Sequence, residues 1–454
     1  MSRMEELGFY SQRALRLLRE AGAGVFDRVR VLWGGMLLEG VLLPRPEYGD
    51  PDVLIIKLDN GYNVGVHVDK IERLELASKG KRVELRPAGA AKLREDLPLV
   101  AVLGTGGTIA SRVDYTTGAV YPSFTAEDVY ALVPELADIA HLELETVFNI
   151  FSEDMTPKRW ETIAERVGEK LRGGAVGVVV AHGTDTMGYT AAALSFALAN
   201  LPGPVALVGA QRSSDRPSSD TALNLVSAVT VAARAPFAEV VVVMHGETSD
   251  TYALVHRGTR VRKCHTSRRD AFRSINSEPL AVVRSGRVEV LLDDFNPRRS
   301  PEDLVLRNGF DERVALVKFY PGMSPEIIDF LVDKSYHGIV IEATGLGHVR
   351  EELLPSIGRA VEEGVAVAIA SQCLWGRVNL NVYRRGVQLL KLGVIPCEDM
   401  IPETAFVKLS WVLDKTRDLE EVRRMMLTCY AHEMSPRTLY ETYPPNLGAG
   451  REGG

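Results

Sequence analysis

Residues 99–111, LVAVLGTGGTIAS, and residues 175–187, AVGVVVAHGTDTM, are built alike, each an apolar run that breaks into a Gly/Thr segment. A short apolar run bounded by turn residues reads as a buried strand, and glycines at its end let the backbone turn sharply toward a ligand. Further apolar runs lie at 143–149, 205–208 and 240–244. Helical patterns fall between them, at 126–132, 157–172, 187–200 and 219–233. Apolar strands alternating with helices predict an α/β domain whose parallel sheet is covered on both faces, with ligands at the carboxyl ends of its strands. A smaller series follows, with strand runs at 314–320, 339–342 and 365–370. The α/β part therefore reads as two domains, 97–280 and 313–434, with mainly parallel sheets, joined by a connection at 281–312. The tail at 435–454, with Pro444-Pro445 and GAGREGG, is expected to be loosely ordered.

Ahead of position 97 the pattern changes. Five short runs (29–32, 36–43, 53–58, 62–67 and 71–76) are separated by Gly34-Gly35, a loop from 44 to 51, and Asp59-Asn60-Gly61. That spacing predicts a small SH3-like β-barrel, preceded by a helix at 5–21 and followed by a charged linker at 78–96. Residues 1–96 are thus a separate N-terminal domain, suited to docking or dimerisation.

The chain has 454 residues, 46% hydrophobic and 25% charged, which excludes wholesale disorder and suits two or three domains. Its 53 basic and 60 acidic residues give a net charge of −7, without the basic surplus expected of a protein that grips nucleic acid alone. Two basic clusters stand out: Arg257, Arg260, Arg262, Lys263, Arg268, Arg269 and Arg273, and Lys79, Lys81, Arg82 and Arg86. They could face RNA or a partner, but read first as solvated faces plus one active-site lysine. Four scattered cysteines and no CxxC argue against a disulfide framework or a structural metal site. The N-terminus has charges throughout, and the uncharged stretch 186–211 is split by Asn200, Pro202, Gly203 and Pro204. A cytoplasmic protein with no membrane contact is expected.

As phosphate loops the two Gly/Thr segments fail. A dinucleotide fingerprint starting at Gly104 breaks at Ile109, and GxxxxGK[ST] is absent. What they hold instead is hydroxyls. Thr108 at a strand end, surrounded by backbone N–H groups, suits a nucleophile beside an oxyanion hole. Thr184 and Asp185, from a second strand end, add a hydroxyl and a carboxylate to the same crevice. Helix capping by these threonines would explain one such loop, but two loops of this composition at two strand ends favour a ligand site.

TGGTIAS and HGTDTM together resemble the two active-site signatures of the type I/II L-asparaginase family. Residues 151–155, FSEDM, resemble that family's substrate-binding turn, and RKCHT at 262–266 its catalytic-lysine segment, ahead of AFRSIN at 271–276. The resemblance implies that Thr108 attacks the side-chain amide carbon, forming an acyl-enzyme and releasing ammonia. It implies that Thr184, Asp185 and Lys263 handle protons, and that Tyr115, in YTTG, assists the nucleophile. Ser152, Glu153 and Asp185 would hold the substrate's α-amino and α-carboxylate groups, with Gly107 and Gly183 lining the same subsite. An ammonium beside a carboxylate keeps its proton, so Lys263 is expected to orient Thr184 rather than to act as a free base. Position 153 is Glu where the family more often has Gln. His348, in TGLGH at 344–348, stands near the place of an asparagine that a neighbouring subunit contributes in bacterial members, and reads here as a loop residue.

Plain asparaginases need nothing before position 98. The extra N-terminal domain, GAQRSSDRP at 209–217, SQC at 371–373 and VNLNVY at 378–383 resemble the D-subunit family of the archaeal glutamyl-tRNA(Gln) amidotransferases. That resemblance implies a glutaminase subunit with no cofactor of its own. A second subunit would bind Glu-tRNA(Gln), ATP and Mg and receive the ammonia, tRNA being held mainly through it, and the assembly would be a homodimer within a heterotetramer. Two alternatives are a free-standing L-asparaginase or glutaminase with an appended domain, and an inactive scaffold. The second is hard to reconcile with Thr108, Thr184, Asp185 and Lys263 all being present.

Overall fold

A computed structural model describes residues 10–43, 45, 50–58, 63–79, 97–106, 111–113, 120–122, 133–212 and 219–444. The chain divides into two compact units. One comprises residues 1–92, 107–134 and 210–222, and the other residues 93–106, 135–209 and 223–454.

In the first unit, α1 (Gln12–Glu20) begins where the Ser11 side chain accepts a hydrogen bond from the Ala14 N–H, a cap that satisfies one otherwise orphaned donor. It is shorter than the helix expected at 5–21, whose first residues lie outside the described ones. Five strands follow: β1 (Arg28–Trp33), β2 (Met36–Leu42), β3 (Val53–Leu58), β4 (Asn63–His67) and β5 (Ile71–Ser78). They form an antiparallel sheet in the order β4-β3-β2-β1-β5. Leu18 of α1 packs with Val29, Val31, Leu42, Leu54, Ile56 and Val66, alternate strand residues turned to one face. Where a barrel was expected, the described pairings make a sheet with β4 and β5 at its two edges. A short hairpin, β7 (Ser111–Val113) with β8 (Val120–Pro122), completes this unit's described strands. The helix expected at 126–132 lies outside the described residues.

The second unit is built on an eight-stranded sheet. Five parallel neighbours come first: β6 (Leu99–Gly104), β9 (His141–Thr146), β10 (Gly177–Ala181), β12 (Val205–Val208) and β13 (Val240–His245). Three antiparallel strands extend it: β14 (Ala253–Arg257), β17 (Ala281–Arg284) and β18 (Arg287–Val290). The sheet is therefore mixed, a parallel part extended at one edge by antiparallel strands: β13–β14 and β17–β18 are joined by connections too short for a parallel crossover, while β14 and β17 are linked through residues 258–280. Residues 281–290, expected within a connection, supply its last two strands. The core strands β10, β12 and β13 are buried at every position, hence their unbroken apolar runs. They are flanked by α2 (Pro157–Arg172), α3 (Met187–Ala197) and α4 (Thr221–Arg234). The helix expected to reach residue 200 stops at Ala197. Leu198 is extended, Asn200 takes a positive φ of 56°, and β11 (Leu198–Ala199) pairs instead with β19 (Val305–Leu306). A small hairpin, β15 (Val261–Lys263) with β16 (Phe272–Ser274), stands apart from the main sheet.

The second sheet is all parallel: β20 (Val314–Lys318), β21 (Gly338–Ala343), β22 (Ala366–Ser371) and β23 (Ile395–Pro396). Around it lie α5 (Glu326–Asp333), α6 (Leu354–Glu362), α7 (Arg384–Lys391), α8 (Pro402–Lys415) and α9 (Leu419–Met426). On α8 the fully buried Lys408 donates to the carbonyls of Met426 and Thr428 and to Glu433, also fully buried. A buried charge needs this full set of partners. No helix among the described residues is long and apolar enough to cross a membrane.

Candidate active site

Strands β6 and β10 are parallel neighbours, so their ends fall side by side, with Gly104 opposite Ala181. The Thr105 N–H and hydroxyl both donate to the Ala181 carbonyl at 3.0 Å. Gly106 has φ +107°, and a Cβ there would come within 2.1 Å of the Ile150 carbonyl oxygen, so only glycine allows this approach. Past Ile150 the chain makes a single 3₁₀ turn, Ser152–Asp154. That turn is tied to the second segment, whose Thr186 hydroxyl donates to the Ser152 carbonyl at 2.6 Å. Gly183 faces Ser152 so closely that a Cβ would lie 2.7 Å from the Ser152 Cβ. Ser152 is buried, whereas Glu153 is exposed with Oε2 3.5 Å from the Ser152 hydroxyl.

Lys263 ends β15, and its Nζ donates to Thr184 Oγ1 at 2.8 Å and to Asp185 Oδ1 at 2.9 Å. The lysine is mostly buried (13% exposed) and the Asp185 side chain is 70% exposed. A hydroxyl, a carboxylate and an amine from two separate elements thus meet beside the Ser152 turn. Thr184, Asp185, Lys263, Ser152, Glu153 and Gly183 are brought into one neighbourhood. Gly107, Thr108 and Tyr115 lie outside the described residues.

A buried histidine that the sequence reading used only as part of a motif holds the second segment. His182 Nδ1 is 2.7 Å from the Gly183 carbonyl and Nε2 is 2.9 Å from the Thr190 hydroxyl, which accepts from Trp160 Nε1 at 3.1 Å. Complete burial pushes the imidazole down to about 4. The neutral ring therefore donates from Nδ1 to Gly183 and accepts at Nε2. In a trans peptide the C=O and N–H point opposite ways, so this bond directs the Thr184 N–H away from the ring.

The basic stretch around Lys263 is neutralised within the chain. Arg257 pairs with Glu239 and Asp294, Arg260 with Asp399, and Arg262 with Glu403. Arg268 and Arg273 share Asp270, and Arg269 pairs with Asp250. In the other cluster Lys79 pairs with Asp27, and Lys81, Arg82 and Arg86 lie outside the described residues. His348 follows β21, and its ring sits edge-on to Tyr383 with centroids 5.3 Å apart. Burial, and then the Arg385 guanidinium, lower its basicity.

The comparisons agree with this anatomy. Residues 99–295 match the family described as Asparaginase, N-terminal, and residues 313–426 the Glutaminase/Asparaginase C-terminal domain. Residues 23–77 match the GatD N-terminal domain. The chain is 57% identical to the glutamyl-tRNA(Gln) amidotransferase D subunit of Pyrococcus furiosus, covering 95% of this chain and 99% of that one. It is 54% identical to that of Thermofilum pendens, covering 96% and 98%. Among solved structures it is similar to the thermostable L-asparaginase of Thermococcus kodakarensis, with 34% identity and a TM-score of 0.66 over 75% of this chain and 100% of that one. It is similar also to L-asparaginase I of Vibrio cholerae, with 30% identity and the same TM-score, over 75% and 99%.

Proposed function

This chain belongs to the family of glutamyl-tRNA(Gln) amidotransferase D subunits, and we propose that it is the glutaminase of such an enzyme, releasing the ammonia that converts Glu-tRNA(Gln) to Gln-tRNA(Gln). The observation that carries the reading is Lys263 Nζ bonded at once to Thr184 Oγ1 and Asp185 Oδ1 beside a strand-end turn. Thr108 is the nucleophile: its oxygen attacks the glutamine side-chain amide carbon, the C–N bond breaks, and nitrogen leaves as ammonia once it has gained a proton. Water then cleaves the ester, giving glutamate and restoring the hydroxyl. Lys263, donating to Thr184 and Asp185, orients the hydroxyl that relays protons, because a hydroxyl nucleophile is weak without such a group. Tyr115 assists Thr108. Ser152 and Glu153, with Gly107 and Gly183 giving room, receive the substrate's α-groups together with Asp185.

The transfer itself falls to a second subunit that binds ATP, Mg and the tRNA, in a cytoplasmic assembly with two copies of each chain. The N-terminal sheet curls as an SH3-like domain and docks on that subunit. A free-standing asparaginase is the weaker reading. The two asparaginases cover 75% of this chain, whereas the two D subunits cover 95% and 96%. The test is amidation of Glu-tRNA(Gln) by the complex carrying Thr108→Val, with glutamine or ammonium chloride as donor. The expected result is no product with glutamine and full product with ammonium. Product from glutamine in a folded variant would overturn the assignment of Thr108, and amidation by this chain alone would overturn the subunit reading.

A further inference from the structure

Lys263 and Thr184 are joined directly by a hydrogen bond, and a second, longer route joins them through a buried histidine. Gly209 follows β12 and lies against the second Gly/Thr segment. A Cβ there would come within 2.7 Å of the His182 carbonyl oxygen and 2.8 Å of Thr184 Cγ2. The Gly209 carbonyl accepts from Asn224 Nδ2 at 3.0 Å. Asn224 Oδ1 is 2.6 Å from Nδ1 of His245, the last residue of β13, and His245 Nε2 is 2.9 Å from Asp250 Oδ1. The same Asp250 oxygen accepts from Arg269 at 2.9 Å. Arg269 lies in the turn between β15 and β16, the hairpin that carries Lys263. The route therefore begins beside Thr184 and returns to the hairpin of Lys263.

We propose that His245 is a positioning residue for the amide-hydrolysing centre, holding the Gly209 strand end and the Lys263 hairpin together by donating from both ring nitrogens. The inference rests on the reading of Thr184 and Lys263 as that centre. Its logic is donor counting. Asn224 spends an N–H on Gly209, so the atom it turns to His245 is its oxygen, and Asp250 offers a carboxylate. Both ring nitrogens face acceptors, and only a ring with two protons satisfies both. His245 is completely buried, so a lone pair turned to the Asp250 carboxylate would have no water to soften it. The charged groups around the ring are Asp250 and, through it, Arg269. Glu247 on the same loop is engaged by Thr251, α4 contributes the uncharged Asn224, and β14 places Ala253 opposite His245.

The test uses the full complex and compares His245→Gln with the parent chain. A glutamine side chain can donate to one of the two oxygens but cannot bridge both. The expected result is a fall of about tenfold in glutamine-dependent kcat with KM within about twofold, since the loss is of alignment rather than of a substrate contact. Amidation from ammonium chloride is unchanged. Asp250→Asn, on an exposed loop where folding is not at stake, reproduces the kcat loss with KM likewise little changed. Parental kcat in both variants would overturn the proposal, as would a loss shared equally by KM and kcat, or loss of cooperative melting in both, which would make the network a fold-holding element. Thr184→Val separates the two readings. If it stays active, the centre itself is misassigned; if it is inactive while the His245 and Asp250 variants behave as the parent, only the positioning role fails.

Discussion

Replacing Lys263 by Met separates chemistry from stability, because the structure assigns the two effects very different sizes. The methionine keeps an unbranched chain of similar length, so packing of the mostly buried stem is preserved. What goes is the ammonium, with its bonds to Thr184 Oγ1 at 2.8 Å and Asp185 Oδ1 at 2.9 Å. For stability the loss is small: the Asp185 side chain is 70% exposed, and such a pair is worth about 0–1 kcal/mol. Thr184 is left without one donor, but its hydroxyl can rotate, which keeps the total near 1 kcal/mol. For catalysis the role proposed for the same group is to position the proton-handling hydroxyl, a role worth roughly 10²–10⁴ in rate. The expected outcome is glutaminase kcat lowered by that factor and a melting temperature within a few degrees of the parent, while amidation from ammonium chloride persists. Activity is read as ammonia release by the full complex and stability by calorimetry of the same preparation. A folded variant within tenfold of parental kcat would refute the role assigned to Lys263. A collapse of the melting transition would refute the argument that its ion pair is energetically minor.

Gly183→Ala places a Cβ 2.7 Å from the Ser152 Cβ and should raise the KM for glutamine about tenfold or more by displacing the substrate turn; an unchanged KM would show that the turn does not hold substrate. Lys408→Met leaves Glu433 buried without its cation and should destabilise the chain by about 3–5 kcal/mol, read as a shifted denaturant midpoint. Burial lowers His182 to about 4 and His256 to about 3, both below the ordinary value near 6.5. Their neutral-state stability is therefore fully present above about pH 6.5 and is lost as pH falls toward those values, by up to about 1.4 kcal/mol per pH unit for each ring. Melting temperatures that stay constant from pH 7.5 to pH 5 would contradict this.

The sequence was most legible where side chains leave no choice of face. β10, β12 and β13 are buried at every position, so their unbroken apolar runs could be read directly. β14, β17 and β18 were missed because they are short and carry His256, Arg257, Arg284, Arg287 and Glu289, with β18 alternating between exposed and half-buried positions. Such strands are specified by the hairpin neighbour, not by their own composition. At the site, Thr184, Asp185 and Lys263 were recognisable as residues of a resembling family, and the structure adds that they touch. The supports were not legible. His182 reaches Thr190 along the turn into a helix, and His245 gathers Asn224 and Asp250 from separate elements, pairings that exist only once the sheet has formed.

The same folding explains what became of the basic stretch. In sequence, seven cations between positions 257 and 273 face a single acidic residue, Asp270. In the fold, Glu239, Asp294, Asp399, Glu403, Asp185 and Asp250 come to meet them. Arg257 and Arg260 are almost wholly buried with their partners and are committed to holding the chain together. Affinity for a nucleic acid comes mainly from cations that exchange small counterions for phosphates. A cation already paired with its own carboxylate has no such counterion to release, and would have to break that pair first. The stretch is therefore poorly suited to be an RNA-binding face. Its use is local, bracing the hairpin that carries Lys263 beside Thr184.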